Sequence, residues 1–330
     1  MATSRANNHV KKIAIVGAGG NVGSHLVTAL LGKHRFDITA ISRAESKASF
    51  PEGIAIAHVD YNKPETIIEA LRGQDVLIIT LSVFAAGDTQ ATLIRAAADA
   101  GVPWVLPNEF GGEDGEAQND TMGPAKVKDR GLIEELGVSS WIGVASSFWY
   151  EHSLSGPGLY GFDVTKREVV FFDEGTERLD TSTWPQVGRA VASLLSLPIS
   201  PQETNGNGPT LTGYRNRMIH ISSFTLNQHE MFASLKRVTN TVDSDWSITS
   251  VSTKHRFAEA LEKLKGGDRS AFGTVLYTRY FFPGEGAGLF EKRHDLDNEK
   301  LGLPHEDLDE ATKAALKLSE SGYWKNYGKR

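Results

Sequence analysis

Three glycines near the start of the chain have the spacing of a phosphate-binding loop. Gly17, Gly20 and Gly23 follow the apolar run Ile13 to Val16 and lead into a helical pattern. In such a loop the first glycine allows a sharp turn, the second lets the backbone approach a pyrophosphate, and the third lets helix and strand pack closely. Free N–H groups at the helix N-terminus would face the phosphates. The candidate dinucleotide contacts here are Gly17, Gly19, Gly20, Asn21, Val22 and Gly23. A tight turn that binds nothing is the alternative.

The end of the second predicted strand indicates which dinucleotide would bind. This strand ends Ile41, Ser42, Arg43, where an acidic residue would hold the ribose 2′-hydroxyl of NAD. The guanidinium of Arg43 matches a 2′-phosphate, and Lys47 adds positive charge nearby. The sequence therefore favours NADP(H), with NAD(H) as the second possibility. Solvated loop cations are the alternative for both residues.

Further candidates lie where other predicted strands end. Asp60, after the third strand, would either contact adenine or cap the helix that starts near Pro64. Ser82 and Phe84 follow the fourth strand, at the carboxyl edge where ligands bind in such sheets. We include Asp60, Ser82 and Phe84 among the predicted cofactor contacts.

An aromatic run follows the sixth predicted strand. Phe148 is a candidate to stack on a nicotinamide ring, while an apolar substrate pocket would be lined by Phe110, Trp149, Tyr150 and His152. Alternatively, the aromatic run packs in the core between the two domains. His152 could instead have a catalytic role.

Several catalytic patterns are absent from the sequence. None of the eight tyrosines has a lysine four residues later, and neither HExxH nor GxSxG occurs. The chain has no cysteine, which excludes thiolate chemistry, and we predict no metal site. The remaining candidate for a catalytic side chain is Lys126, on a predicted helix with Lys128 and Arg130.

The elements that must position these residues alternate between strand and helix in the first half. Apolar β-branched runs separated by helical patterns predict βαβ units and a doubly wound, Rossmann-type parallel sheet. We predict a nucleotide-binding domain over residues 1–155. Residues 156–330 would form mainly a smaller α/β substrate domain, with segments that return to the core of the first domain. Glycine-rich turns after about Ser155 mark the boundary.

Composition restricts the partners. The 330 residues carry a formal charge of -6, which argues against nucleic acid. The polar N-terminus and the lack of a long apolar run indicate no membrane partner, so we expect a soluble, cytoplasmic protein with a small-molecule substrate.

Two further segments carry a resemblance to a known family. Residues 105–111 read VLPNEFG and residues 126–137 read KVKDRGLIEELG. Together with the glycine loop and Arg43, they resemble the NmrA-like and isoflavone reductase-like group of atypical short-chain reductases, which has similar LPSEFG and KxxxRxxIE segments. The resemblance implies that Lys126 is a general acid or base and that Arg130 contacts the cofactor. Asn108 departs from the usual serine of the family.

The resemblance leaves two functions open. One is an NADPH-dependent reductase that transfers hydride to a small aromatic or conjugated substrate. For this, burial and the neighbouring Arg130 would lower the pKa of Lys126 toward neutrality. The other is a redox-sensing regulator like the NmrA proteins, which binds the dinucleotide without turnover and acts through a regulatory protein partner. Binding of Lys126 to ribose or solvent, without catalysis, is the alternative for that residue.

Overall fold

A computed structural model describes residues 8–46, 48–82, 85, 87–123, 125–201 and 208–327. The described residues form thirteen strands: β1 (Lys12–Val16), β2 (Asp37–Arg43), β3 (Ala55–Val59), β4 (Val76–Ile79), β5 (Trp104–Leu106), β6 (Ser140–Ala145), β7 (Phe148–Trp149), β8 (Phe162–Asp163), β9 (Glu168–Phe172), β10 (Leu179–Ser182), β11 (Arg217–His220), β12 (Phe224–Leu226) and β13 (Ser247–Val251).

The same residues form twelve α-helices: α1 (Asn21–Leu31), α2 (Pro64–Leu71), α3 (Thr89–Asp99), α4 (Glu116–Met122), α5 (Ala125–Leu136), α6 (Tyr150–Ser155), α7 (Trp184–Ser196), α8 (Gln228–Thr239), α9 (Thr253–Lys265), α10 (Phe272–Arg279), α11 (Leu308–Glu320) and α12 (Tyr323–Asn326). Within these ranges, none of the helices combines the length and apolar character that crossing a membrane requires.

The main sheet has seven strands in the order β11-β6-β5-β4-β1-β2-β3, and all its neighbours pair in parallel. This confirms the predicted doubly wound Rossmann-type fold. The strand order reverses between β1 and β4, so the crevice for a ligand opens at the carboxyl ends of these two strands. β4 reads Val-Leu-Ile-Ile and is buried throughout, because helices cover both faces of the sheet at its centre.

The C-terminal half contributes to this sheet and also builds a separate core. β11 pairs with β6, and α7 packs on α1 so closely that a Cβ at Gly188 would lie 2.5 Å from the carbonyl oxygen of His25. Two three-stranded sheets, β12-β10-β7 and β13-β9-β8, lie outside the main sheet. A domain boundary near residue 155 stays a proposal.

The glycine-containing segment 281–290 is held in place by hydrogen bonds to residues at and just before β10. The carboxylate of Glu177 accepts the N–H groups of Gly284 and Gly286 at 2.9 and 3.0 Å. Asp180 accepts the N–H of Phe290 at 2.7 Å. These contacts hold the segment beside β10.

Candidate functional site

The glycine loop connects β1 to α1, and its backbone leaves no room for a side chain at Gly17 or Gly23. Gly17 has a φ of +78°, and a Cβ there would lie 2.0 Å from the carbonyl oxygen of Thr80 at the end of β4. A Cβ at Gly23 would lie 2.1 Å from the carbonyl oxygen of Gly17. The loop therefore packs backbone against backbone at the reversal of strand order, as a dinucleotide loop requires.

The N-terminus of α1 presents backbone donors to the same crevice. Gly20 is the N-cap residue, Gly19 and Gly20 are exposed, and no side chain among the described residues caps this helix. The first N–H groups of a helix lack intrahelical partners, so a phosphate fits here. The amide of Asn21 donates to the hydroxyl of Tyr323 at 2.5 Å, and Val22 is buried in the core.

Gly23→Ala is expected to destabilise the chain by about 1–3 kcal/mol, because the new methyl group must displace backbone. Gly131→Ala is the matched control, since nothing lies within 4 Å of a Cβ built at this position in the middle of α5. The control should stabilise the chain by roughly 0.5–1 kcal/mol. Urea denaturation measures both, and a neutral Gly23→Ala variant would contradict the tight packing of the loop.

The predicted 2′-phosphate contact, Arg43, ends β2 with an exposed side chain. Its Nε lies 3.6 Å from Oε1 of Glu45, and side chains this exposed hold such pairs weakly. The guanidinium can therefore turn to a phosphate at small cost. Lys47 lies outside the described residues.

Asp60 shapes a turn after β3. Its Oδ1 accepts the N–H of Asn62 at 2.9 Å, and Lys63 rather than Asp60 is the N-cap residue of α2. Ser82 is exposed beyond the carboxyl end of β4, and Phe84 lies outside the described residues. Contacts of Asp60, Ser82 and Phe84 with a cofactor stay predictions.

Lys126 lies in the first turn of α5 and is partly buried. Its Nζ donates to the carbonyl oxygen of Gly112 at 3.1 Å. Burial lowers the pKa of the Lys126 amine; Glu109 and Asp114 oppose this shift, and Arg130 adds a smaller lowering. The Lys126 pKa is thus lowered, as the sequence predicts, and burial rather than Arg130 is the main cause.

Glu109, just after β5, is an acidic partner of Lys126 and Arg130 that was not among the residues predicted from the sequence. Its side chain is 1% exposed, and Arg130 Nε lies 3.3 Å from its Oε1. Burial raises the pKa of Glu109 to about 7, although the charges of Lys126 and Arg130 pull it down. A carboxyl group with this pKa exchanges protons near neutral pH. The signal was available in VLPNEFG, where an acidic residue follows a buried strand.

Arg130 is placed in a buried ion-pair network. Besides Glu109, it contacts the carboxylate of Asp114, and its guanidinium lies 5.2 Å from the ring centroid of Trp141. Its contact with a cofactor stays a prediction.

An aromatic wall lies beside the loop that holds Lys126. Phe148 stacks on Tyr277 at 4.2 Å between ring centroids and meets Tyr280 edge-on at 5.0 Å. A Cβ at Gly112 would lie 2.6 Å from the hydroxyl oxygen of Tyr280, so this tyrosine touches the loop. We call Phe148, Tyr277 and Tyr280 the aromatic wall. Tyr277 lies in α10 and Tyr280 directly follows it, more than 120 residues after Phe148, so no local sequence pattern predicts the contact.

The predicted substrate contacts occupy three different surroundings. Phe110 is 5% exposed within the core of the main sheet, together with the partly buried Trp149. Tyr150 is fully buried, with its hydroxyl 2.8 Å from that of Thr312. His152 packs on Trp324, and burial lowers its pKa to about 4, so its ring is neutral at pH 7. Substrate contact by these four residues stays a prediction.

A further cluster of polar side chains lies one residue beyond Gly112. Glu113, His220 and His294 bring their ligand atoms within 4.8 Å of one another. Burial alone would raise the pKa of Glu113, but hydrogen bonds from His220 and Arg293 outweigh it and hold that pKa below its usual value. These residues are far apart along the chain and form no sequence motif, so the cluster was not predicted from the sequence.

The strand order and glycine loop define a Rossmann-type, dinucleotide-binding class of protein. The sequence profile of the NmrA-like family matches residues 9–155. Oxidoreductase aprR of Aspergillus flavus is 31% identical over 314 residues, which cover 93% of this chain and 99% of aprR. The chain belongs to the NmrA-like family. This confirms the resemblance to the NmrA-like and isoflavone reductase-like group of reductases.

Solved structures show the same fold over nearly the whole chain. Isoflavone reductase superposes with a TM-score of 0.70 at 20% identity, covering 92% of this chain and 98% of that one. AtPrR2 with NADP+ and (+)pinoresinol gives a TM-score of 0.70 at 18% identity, with the same coverage of both chains. At these identities the likeness establishes the fold.

Proposed function

We propose that this protein is an NADPH-dependent reductase of small aromatic or conjugated substrates, with Lys126 as general acid. The observation that carries the proposal is the placement of Lys126. Its side chain is partly buried, its amine donates to the carbonyl oxygen of Gly112, and the charge of Glu109 acts on it. Gly112 in turn touches Tyr280 of the aromatic wall. The name of the relative aprR, an oxidoreductase, supports the class of reaction.

The residues of the crevice fit NADP(H). The exposed backbone of Gly19 and Gly20 and the uncapped start of α1 would hold the pyrophosphate, and Arg43 would hold the 2′-phosphate. When bound, NADPH supplies the hydride. AtPrR2, which shares the fold, is known with NADP+, and this supports the choice of cofactor.

Lys126 would hold the proton that the reduced substrate must receive. Because burial lowers the pKa of its amine, the ammonium form gives up a proton more readily than a solvated lysine does. Glu109 is the acidic group that acts most strongly on this amine, so its charge state would set how readily the proton leaves. The acceptor is the substrate atom on which negative charge develops.

The aromatic wall favours a flat apolar substrate. Phe148, Tyr277 and Tyr280 pack ring against ring next to Gly112. Tyr277 and Tyr280 are only 6% and 5% exposed, so the partly buried Phe148 is the ring that would stack on a conjugated substrate. Aromatic ketones and enones are therefore the substrates to test first.

Arg43→Ala is expected to weaken NADPH binding about 10–100-fold, which corresponds to the loss of one charge-assisted hydrogen-bonded contact. NADH binding should change little, since NADH lacks the 2′-phosphate. Fluorescence titration of both nucleotides measures this, and Arg72→Ala, an exposed arginine after α2, is the control.

Two outcomes would contradict the proposal. Failure of the wild-type chain to bind either nucleotide would remove its basis. Binding of NADPH without oxidation across a panel of aromatic ketones, enones and quinones, together with stoichiometric capture of a regulatory protein, would instead support a sensor.

A further inference from the structure

The cluster of Glu113, His220 and His294 takes no part in the proposed reduction. His220 ends β11, Glu113 follows Gly112, and His294 comes from the segment after residue 290. The Nε2 atoms of both histidines lie 2.9 Å from the same carboxylate oxygen, Oε2 of Glu113. We propose that these three side chains bind one divalent transition-metal ion, with zinc as the ion that suits them best.

The donor set is that of a zinc site with an open position. Two imidazole nitrogens and one carboxylate oxygen are common ligands of Zn²⁺, and a water completes the tetrahedron. Zinc bonds of about 2.0–2.1 Å would place neighbouring ligand atoms roughly 3.3 Å apart. The present contacts of 2.9 Å therefore have to open by only a few tenths of an ångström to admit the ion.

One imidazole ring must also turn. The rings of His220 and His294 are stacked, with centroids 4.1 Å apart and planes at 11°, so their nitrogen lone pairs do not yet aim at one point. His294 is free to move because its side chain is 44% exposed, whereas that of His220 is 7% exposed. His220 is also fixed on β11, where its backbone N–H donates to Asp297 at 3.0 Å. Rotation of His294 would complete the site.

The surroundings prepare Glu113 for this role. Arg293 Nε contacts the other carboxylate oxygen, Oε1, at 2.5 Å. Ligating carboxylates are typically hydrogen-bonded in this way, and Oε2 is left facing the histidines. Without a metal, each Nε2 must carry a hydrogen in order to donate to Oε2. A metal ion takes the place of these two hydrogens, which leave as protons or move to Nδ1.

An approach path and local charge support the same site. A cavity of about 480 Å³ is lined by His294 together with Glu291, Asp295 and Glu299. Lys300 lines the same cavity, and the three carboxylates outnumber the two nearby cations, Lys300 and Arg293, which would otherwise repel a dication. A bound ion would fasten the loop of Gly112 and Glu113 to the segment around His294.

The test uses the full chain without a polyhistidine tag, freed of metal by a chelator and titrated with Co²⁺. Tetrahedral Co²⁺ absorbs visible light strongly and therefore reports the geometry directly. We expect one Co²⁺ per chain in the wild type, with binding weakened on the order of 100-fold in His294→Ala and Glu113→Gln. His294 is exposed enough that its removal should leave the fold intact.

His255→Ala is the matched control. His255 lies 3.1 Å from Glu259 on an exposed helix face, so this pair reports adventitious surface binding. Zn²⁺ in excess should raise the thermal midpoint of the wild type and of His255→Ala, but not of His294→Ala. Equal Co²⁺ affinity in the wild type and His294→Ala, or no binding by the wild type, would overturn the proposal.

Discussion

Lys126→Met is expected to lower kcat for NADPH-dependent reduction by about 10²–10⁴-fold, the usual contribution of a positioned general acid. Methionine keeps the length and apolar stem of lysine but has no proton to give. The loss should appear in kcat more than in KM, because the proton is transferred in the transition state. Steady-state kinetics on a substrate found in the panel of ketones and enones measures both constants.

Lys128→Met is the control for this substitution. Lys128 lies two residues further along α5 and is exposed, so its loss should leave kcat unchanged. Full turnover by Lys126→Met would remove the proposed role. A weaker NADPH affinity with normal kcat would instead assign Lys126 to ribose binding.

Glu109→Gln is expected to change how the stability of the chain depends on pH. The folded chain raises the pKa of Glu109 from 4.5 to about 7, so it binds more protons than the unfolded chain between these values. The contribution of Glu109 to the free energy of unfolding is therefore fully present below pH 4.5 and lost as pH rises through 7. At 1.36 kcal/mol per unit, the loss is about 3 kcal/mol.

Glutamine has the shape of the protonated side chain and does not titrate. Relative to wild type, Glu109→Gln should thus gain stability between pH 5 and pH 8, by up to about 3 kcal/mol. Urea denaturation at both pH values measures the difference, with Glu135→Gln, an exposed position on α5, as the control. Burial also raises the pKa of Glu151 to about 7, and because Glu151 is present in both chains, its effect on the pH slope cancels in the difference between wild type and Glu109→Gln. An unchanged difference between pH 5 and pH 8 would show that Glu109 titrates normally.

The local elements of the first half followed directly from the sequence. α2 begins at Pro64 and β2 ends at Arg43, as the sequence predicts, and the glycine loop lies between β1 and α1. These features depend on interactions between near neighbours in the chain: apolar periodicity, proline at a helix start, and glycine where backbone approaches backbone. The short helix α4 was missed, because its polar sequence has no apolar period.

Tertiary structure decided what surrounds Lys126. The sequence indicated the lysine and its neighbour Arg130, but the arginine pairs with Glu109 and Asp114, and burial is the main influence on the lysine. Burial depends on the whole packed chain, so no local pattern reports it.

The sequence by itself determined the sheet, the glycine loop and the position of Arg43 at a strand end. Only the tertiary structure brought Tyr277 and Tyr280 to Phe148, and His220 and His294 to Glu113. These contacts join residues more than 70 positions apart. Their pairing follows from how the C-terminal half packs on the main sheet, and side-chain chemistry at one position cannot specify a partner at that separation.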